Sequence, residues 1–268
     1  LNIKIMNIIK NIKNFLPYPI KIILKKMRDK VTSLEILKLY KTKTGNYYMP
    51  LFSYQDIIKK DIINDKIWGE FVYNIAKEYI EENTIVLDAG ANFGQLSILF
   101  SKLKKDVIVY SFESSNFVFK ILKKNIDLNN ANVKAINCIL GHEGNKVYQI
   151  EKGDLSEFSS WGSNKVKIID GEQSSLKTEV VQAVKIDDIK FNKKISFFKI
   201  DVQGYDLNVL KGAKNTILKH KMPIMFEYEK DFENDFNYSF KDFENFINEI
   251  NYKIFKDFDG KNFLIKPR

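Results

Sequence analysis

The sequence predicts an α/β protein with a mostly parallel sheet, helices on both faces and a C-terminal antiparallel hairpin. From residue 85 onward, short apolar runs alternate with amphipathic stretches, a pattern that indicates right-handed strand–helix–strand units. The last two apolar runs flank Asp259-Gly260, a dipeptide typical of hairpin turns. The chain has 268 residues, of which 44% are hydrophobic, and this is enough to enclose one large core.

Each predicted strand is a short run of apolar residues, and the segments between the strands have helical periodicity. In chain order the predicted strands are TIVLDAG, DVIVYSFE, VKAINCIL, ISFFKIDVQG and MPIMFEYE, followed by YKIFKDFDG and NFLIKPR of the hairpin. Helices are predicted over 95–104, 116–130, 206–219 and 240–250. Residues 31–84 are predicted to be mostly helical, with a turn near KTGNYYMP.

Charge divides the chain into a basic N-terminal helical arm or cap, residues 1–65, and a main domain, residues 66–268. The net charge is +9, and residues 1–30 contribute +7 of it through seven lysines and Arg28 against Asp29. Apolar residues recur at helical spacing among these lysines. Such a segment can pack on the main domain, the interpretation that we favour, or lie on an anionic membrane surface. Nucleic-acid binding is not favoured, because the sequence has no basic patch with interleaved aromatic residues.

Composition also constrains where the protein works. Cys138 is the only cysteine, which excludes an internal disulfide framework and is typical of a reducing cytosol. No apolar run reaches the roughly 18 residues that a spanning helix needs, and the N-terminal stretch does not match a secretory signal. We therefore expect a cytoplasmic protein, with the arm as the place of any peripheral contact with the inner face of a membrane. Two histidines in the whole chain argue against a histidine-rich metal site.

The stretch IVLDAGANFG, residues 85–94, carries the clearest site signal. In a sheet of this class, ligands bind beyond the carboxyl ends of the strands. Gly90 would let the backbone approach a ligand, and Gly94 would allow a tight turn into a helix whose free N–H groups favour an anion. Asp88 can accept hydrogen bonds from an ammonium group or from water. A surface that receives both an anion and a cation suits an amino-acid moiety.

An acid at the end of the next predicted strand completes this signal. Glu113 is placed to accept both hydroxyls of a ribose, so turn and acid together indicate a nucleoside ligand. The dinucleotide spacing G-x-G-x-x-G is absent, because Gly90 and Gly94 stand four residues apart. A ribose joined to an amino acid in place of a pyrophosphate is S-adenosylmethionine. The predicted cofactor-binding residues are Asp88, Ala89, Gly90, Asn92, Phe93, Gly94, Glu113 and Ser114.

Several blocks in order, over about residues 85–230, resemble the FkbM-type methyltransferases, a group of S-adenosylmethionine-dependent O-methyltransferases. The resembling blocks are VLDAGANFGQLSILF, VYSFESSNFVFKILKKNIDLNN, LGHEGN, VKIDDI, FFKIDVQGYDLNVLKGA and MFEYE. The resemblance implies a Rossmann-like class I methyltransferase fold. One position departs from the family, which usually has Glu where this chain has Gln203. If that Glu serves only as a hydrogen-bond acceptor, Gln can replace it; if its charge is needed, the activity or the acceptor differs.

Methyl transfer from a sulfonium needs mainly position, together with a base for the attacking hydroxyl. Asp201, at the end of a predicted strand beside the cofactor cleft, is the predicted catalytic residue, with helix capping or cofactor positioning as an equal alternative. Glu227 and Glu229 lie two residues apart and share one strand face. They could join Asp201 at a metal with oxygen ligands, but we favour one of them orienting a neighbour and the other facing solvent, so no metal is assigned.

The polar segment 153–180 is expected to build the acceptor site. Trp161 in this segment is either a platform for a sugar ring or a core anchor, and His142 is a minor candidate for the site. The resemblance implies that the acceptor is a hydroxyl, on a sugar of a surface polysaccharide or a related metabolite. An amine or protein acceptor, and a non-catalytic nucleoside-binding module, are the alternatives.

Overall fold

The structure, a computed structural model, describes residues 37–51, 56–151 and 178–268. The basic stretch 1–30, Trp161 and most of the polar segment 153–180 lie outside the described residues. Within the described ranges, no helix combines the length and the apolar character that a membrane crossing requires.

The described residues form twelve strands and eight α-helices. The strands are β1 Leu37–Thr42, β2 Gly45–Pro50, β3 Ile85–Ala89, β4 Ile108–Glu113, β5 Val133–Asn137, β6 Ile139–Leu140, β7 Val147–Glu151, β8 Thr178–Val184, β9 Ile195–Ile200, β10 Ile224–Glu227, β11 Tyr252–Asp257 and β12 Asn262–Pro267. The helices are α1 Ile57–Ile63, α2 Glu70–Tyr79, α3 Gln95–Ser101, α4 Asn116–Leu128, α5 Asp206–Gly212, α6 Lys214–His220, α7 Glu233–Phe236 and α8 Phe240–Glu249.

The central sheet has seven strands in the order β11-β12-β10-β9-β3-β4-β5. The five strands from β10 to β5 are parallel, and the C-terminal hairpin adds two antiparallel strands, which confirms the predicted fold class. The chain runs outward from β3 through β4 to β5 and then places β9 and β10 on the other side of β3. The strand order therefore reverses between β3 and β9, the point beyond which ligands bind in such sheets.

Both faces of this sheet are covered by helices. All five residues of β3 are buried, and they alternate between the two faces because successive side chains of a strand point in opposite directions. Leu87 packs in a cluster with Leu210 of α5 and Phe243 of α8, whereas Val86 packs with Ala76 of α2 and Phe100 of α3. Because both faces of β3 are buried, its sequence is a continuous apolar run until Asp88.

Residues 37–50 form an antiparallel hairpin, so the prediction of mainly helical structure is wrong for this part of the arm. β1 pairs with β2 from Leu37 opposite Pro50 to Thr42 opposite Gly45. Tyr47 and Met49, two residues apart, are fully buried, which is the period of a strand and not of a helix. The predicted helical character is correct only further along, in α1 and α2.

Two side-chain amides, one within α4 and one at its C-cap, hold this hairpin against the main domain. Asn125 accepts a hydrogen bond from the Tyr48 N–H at 2.7 Å and donates to the Tyr48 carbonyl at 3.2 Å. Asn129 does the same with Asn46, at 2.9 and 2.6 Å. Tyr47 lies in one hydrophobic cluster with residues of the main domain. The described part of the cap thus shares its core with the main domain, and the division at residue 65 remains a prediction.

The predicted strand VKAINCIL is interrupted at Cys138. Its first part is β5 of the central sheet, and its second part is β6, which pairs with β8 in a separate three-stranded sheet with β7. The predicted helix 206–219 is likewise two helices, α5 and α6, which meet at Ala213. At the C-terminal hairpin, Asp259 accepts from the N–H groups of Lys261 and Asn262, as expected for an Asp-Gly turn.

Candidate functional site

A cavity of about 730 Å³ opens at the carboxyl ends of β3, β4 and β9, where the strand order reverses. Its size lies within the range of about 300–1,000 Å³ that is usual for ligand pockets. We call the part lined by residues 88–94, Glu113 and Ser114 the turn end. The part lined by Asp201, Glu227 and Glu229 is the carboxylate end. The first residues of α2 and most of α1 form a further wall.

The structure brings almost all of the predicted site residues to this one cavity. Eight of the nine line it, and Ala89, which ends β3 and is fully buried, does not. The lining residues among the nine are Asp88, Gly90, Asn92, Phe93, Gly94, Glu113, Ser114 and Asp201. His142 is exposed and is not part of the lining.

Three residues of the turn have a left-handed backbone. The φ angles are +75° at Gly90, +51° at Asn92 and +89° at Gly94. Asn tolerates this conformation better than most residues, and here its side-chain oxygen accepts the next N–H, from Phe93, at 2.7 Å. Gly94 is the N-cap of α3, as the sequence predicted for a tight turn into a helix.

The reason for glycine at position 90 differs from the predicted one. A Cβ on Gly90 would lie 1.8 Å from the carbonyl oxygen of Asp201 and 2.9 Å from its carbonyl carbon. The missing side chain therefore makes room for the main chain after β9, and not for a ligand. Gly90 still lines the cavity, but its requirement for glycine comes from the packing of two loops.

Glu113 ends β4 with both carboxylate oxygens bound to main-chain donors. Oε2 accepts from the Asn92 N–H at 3.0 Å, and Oε1 accepts from the Ser115 N–H at 2.9 Å. Burial raises the pKa of Glu113 to about 7, although the two hydrogen bonds and the charge of Lys199 lower it. Each carboxylate oxygen has two lone pairs, so Glu113 retains acceptor capacity for two further donors.

Asp88 is fully buried, and its carboxylate is engaged within the protein. Ser97 donates a hydrogen bond to its Oδ2 at 2.5 Å, and the Lys199 ammonium lies 3.1 Å from its Oδ1. Ser111 donates in turn to Ser97 at 2.7 Å. Asp88 therefore lies at the base of the turn end with two partners from its own chain, and its predicted contact with a ligand remains a prediction.

Lys199 is the main residue of this site that sequence reasoning did not identify. It is the single charged residue of the strand ISFFKI, and it is 5% exposed. Burial lowers its pKa, but the carboxylates of Asp88 and Asp201 outweigh that effect and raise the pKa, so the ammonium is charged. A lysine in a strand without any other charge was the available signal, because a buried charge requires partners.

At the carboxylate end, several acids lie close together. Gln203, with a left-handed φ of +54°, donates from Nε2 to Asp201 Oδ1 at 3.4 Å. Burial, with the charges of Asp201 and Asp206, raises the pKa of Glu227. Asp206 lies behind the cavity wall, 1% exposed, where burial and the Asp201 charge raise its pKa to about 7. Asp206 was also missed by the sequence reasoning, which had only a helix start at this position.

The two glutamates of MFEYE have different surroundings. β10 ends at Glu227, and Glu229 lies beyond the strand, where it pairs with Lys261 at 3.3 Å. Among the residues that the structure describes, no group of three or more potential ligands is arranged to hold a metal ion.

Gln95 connects the cap and the loop before α2 to the end of the turn. Gln95, the first residue of α3, accepts from the Trp68 N–H at 2.8 Å. It also donates to the carbonyl of Lys66 at 2.8 Å and to the hydroxyl of Thr44 at 3.1 Å. Gln95 is 4% exposed, so these bonds fix the loop before α2 over the turn end. Sequence reasoning assigned no site residue to positions 1–65, whereas residues of this cap line the cavity.

Comparison with known proteins identifies similar sequences and similar solved structures. The sequence model of the family described as "Methyltransferase FkbM domain" matches residues 88–254. "Methyltransferase 1" of Beauveria bassiana is 23% identical over 170 residues, which cover 58% of this chain and 68% of that protein. "Methyltransferase sdnD" of Sordaria araneosa is 26% identical over 189 residues, or 58% of this chain and 70% of that protein. The crystal structure of methyltransferase FkbM from Methylobacillus flagellatus KT is 19% identical, with a TM-score of 0.44, covering 69% of this chain and 44% of that one.

Proposed function

This chain belongs to the methyltransferase FkbM domain family, and from that premise we propose that it transfers the methyl group of S-adenosylmethionine to a hydroxyl of a sugar. The family membership makes the chain a methyltransferase and confirms the resemblance found in its sequence. The choice of cofactor, of a hydroxyl as the attacking group and of a sugar as its carrier are parts of the proposal.

The observation that carries the proposal is the meeting of the glycine turn and Glu113 in one cavity. The Asn92 N–H donates to Glu113, so the turn and the acid form one hydrogen-bonded unit. The acceptor capacity left on Glu113 suits the two hydroxyls of a ribose. Cys138, Ile139 and Leu140 line the same cavity and offer an apolar surface for a base. These groups fit a nucleoside that carries an amino acid.

The carboxylate end supports a hydroxyl acceptor. When bound, S-adenosylmethionine supplies an electrophilic methyl group. Asp201 would accept the proton that the attacking hydroxyl loses as it takes that methyl group. The Asp201 side chain is 36% exposed, so a substrate can reach it. Gln203 orients it with a donated hydrogen bond, a role for which the charge of a glutamate is not needed.

A sugar fits this end of the cavity because carboxylates accept hydrogen bonds from several hydroxyls at once. Glu227 and Glu229 supply such acceptors beside Asp201. An acceptor of this kind is a small molecule or the end of a glycan.

The proposal is tested by binding and by turnover. Calorimetry compares S-adenosylmethionine with NAD, and the proposal requires tighter binding of S-adenosylmethionine. Formation of S-adenosylhomocysteine is then measured with panels of sugars, amines and peptides. Turnover with sugars alone supports the proposal. Turnover only with amines or peptides refutes the acceptor class, and cofactor binding without turnover on any acceptor indicates a non-catalytic module.

A further inference from the structure

We infer that Lys199 is a positioning residue that fixes the glycine turn and thereby sets the affinity of the turn end for its ligand. The inference rests on the proposed function, since the ligand used to test it is S-adenosylmethionine. It assigns to Lys199 a task that is separate from base catalysis and from direct contact with the cofactor.

The Lys199 ammonium binds the main chain of the turn and pairs with two carboxylates. Nζ donates to the carbonyl of Ala89 at 3.2 Å and to the carbonyl of Gly90 at 2.9 Å. It lies 3.1 Å from Asp88 Oδ1 and 3.8 Å from Asp201 Oδ2. An ammonium has three N–H donors, and the two carbonyls take two of them, whereas Asp88 pairs with it by charge. Lys199 therefore directs most of its donors at the main chain of the turn.

These partners are the groups that determine the path of the turn. Lys199 is the direct neighbour of Asp88 in the register of β9 with β3. The two carbonyls that it binds are those of the last strand residue and of Gly90. Two residues later, the Asn92 N–H donates to Glu113. A shift of the two carbonyls would thus change the direction of the N–H groups that follow, and with it the position of the Glu113 carboxylate.

The test must separate this role from simple charge balance. Removing Lys199 alone would leave the buried carboxylate of Asp88 without a counter-charge, which is strongly destabilising. Asp88→Asn alone keeps the lysine and both carbonyl contacts. The double variant Asp88→Asn with Lys199→Met has no unpaired buried charge but lacks the donor to the carbonyls. Comparing the double variant with Asp88→Asn therefore isolates the contacts of Lys199 with the turn.

We expect the double variant to bind S-adenosylmethionine about tenfold or more weakly than Asp88→Asn, measured by calorimetry. Methylthioadenosine, which lacks the amino-acid group, should lose affinity by a similar factor, because the turn also positions Glu113. Equal affinity of the two variants would overturn the inference. A loss confined to S-adenosylmethionine would also overturn it, since that result would mean direct contact of Lys199 with the amino-acid group.

The pH dependence of binding gives a readout that a purely structural role would not change. Glu113 is faced by Lys199 from β9, by Asp88 from β3 and by Cys138 after β5. Loss of the ammonium raises the pKa of Glu113. As pH falls, Glu113 should therefore become protonated, and binding should weaken, at a higher pH in the double variant than in Asp88→Asn. An unchanged midpoint would count against the inference.

Two further variants complete the design. Lys194 is an exposed lysine just before β9 that pairs with Glu81, and Lys194→Met should leave binding unchanged. Lys199→Arg keeps the charge but replaces a compact ammonium by a planar group, and should weaken binding about threefold to tenfold even if the double variant does not fold. Affinity of Lys199→Arg equal to the wild type would overturn the inference. Absence of S-adenosylmethionine binding in the wild type would instead refute the proposed function.

Discussion

The two ends of the cavity hold acids in opposite circumstances. At the turn end, Glu113 receives one main-chain N–H on each oxygen, and the Asp88 carboxylate has a hydroxyl and an ammonium as partners. At the carboxylate end, Asp201, Glu227 and Asp206 face one another. Donors on both oxygens hold a carboxylate in one position, which suits ligand binding. Acids that lie close together share their protons readily, which suits proton transfer. The difference supports the proposed division, with binding at the turn end and proton transfer at the carboxylate end.

The two ends are also joined directly. Gly90 of the turn lies against the carbonyl of Asp201, and Lys199 reaches toward Asp88 and Asp201. We call the contacts of Gly90 and Lys199 with Asp88 and Asp201 the joint. A substitution at the joint should affect both ends of the cavity, whereas a substitution at one end should leave the other end intact.

Gly90→Ala should disturb both ends together. The added Cβ would lie 1.8 Å from the Asp201 carbonyl oxygen, so the main chain must move. Overpacking costs about 1–3 kcal/mol, and alanine at a positive φ adds to this. We expect a loss of about 3 kcal/mol or more in the free energy of unfolding, measured with urea, and loss of cofactor binding.

Gly260→Ala is the matched control for this change. Gly260 has a φ of +73°, nearly that of Gly90, but no atom lies within 4 Å of its missing Cβ. The backbone strain is thus the same and the collision is absent, so Gly260→Ala should cost about 1 kcal/mol. Equal losses in the two variants would show that the contact with Asp201 does not matter.

Asp201→Asn should affect the carboxylate end alone. We expect kcat to fall by roughly 10²–10⁴, as for the loss of a general base, with little change in cofactor affinity. Asp231→Asn, at an exposed position after β10, serves as the control and should leave kcat unchanged. A preserved kcat in Asp201→Asn would remove it from the role of base, and a parallel loss of cofactor affinity would make it a positioning group.

Glu113→Ala should affect the turn end alone. Hydrogen bonds to a charged group contribute about 1.5–3 kcal/mol each, so two lost bonds correspond to more than about 100-fold in Kd. Water can replace part of this, and we expect S-adenosylmethionine to bind roughly 30- to 300-fold more weakly by calorimetry. Wild-type affinity with an intact circular dichroism spectrum would mean that Glu113 does not contact the ribose. Glu143→Ala, at an exposed glutamate, is the control.

The sequence was sufficient to predict the strands of the central sheet and the residues that form the turn end. Both follow from local patterns: apolar runs for β3 and β4, and a glycine turn with an acid at the next strand end. The hairpin at 37–50 was missed because its two strands are short and lie beside real helices. Its attachment depends on Asn125 and Asn129, whose partners lie 77 and 83 residues away in the chain.

The same limit applies to the joint between the two ends. Nothing local predicts that the missing Cβ of Gly90 faces the main chain at Asp201, or that Lys199 binds carbonyls about 110 residues away. A charged residue in a strand is usually assigned to an exposed position. Lys199 is buried beside Asp88 because of the register of β9 with β3, which the local sequence does not show. Tertiary contacts of this kind require the structure.

The last prediction concerns how the acids behind the carboxylate end affect stability. The pKa of Asp206 is raised from 3.8 to about 7, mainly by burial. An acid whose pKa is raised on folding favours the folded state below its unfolded pKa, and this contribution is lost as pH rises through the folded pKa. The free energy of unfolding should therefore fall between pH 4 and pH 7.

Asp206→Asn should remove most of that slope. Each pKa unit corresponds to about 1.4 kcal/mol, which allows a few kcal/mol at most for Asp206. The amide keeps one acceptor for the Glu227 N–H but places its NH₂ near the Val202 N–H, so the variant should be slightly less stable than the wild type at pH 5. At pH 8 the difference should shrink or reverse, measured by urea unfolding at both pH values. Asp242→Asn is the control, because hydrogen bonds from Ser239 lower the pKa of that exposed acid, so its contribution changes only at lower pH. A wild-type slope retained in Asp206→Asn would mean that other acids, Glu227 first among them, carry the pH dependence.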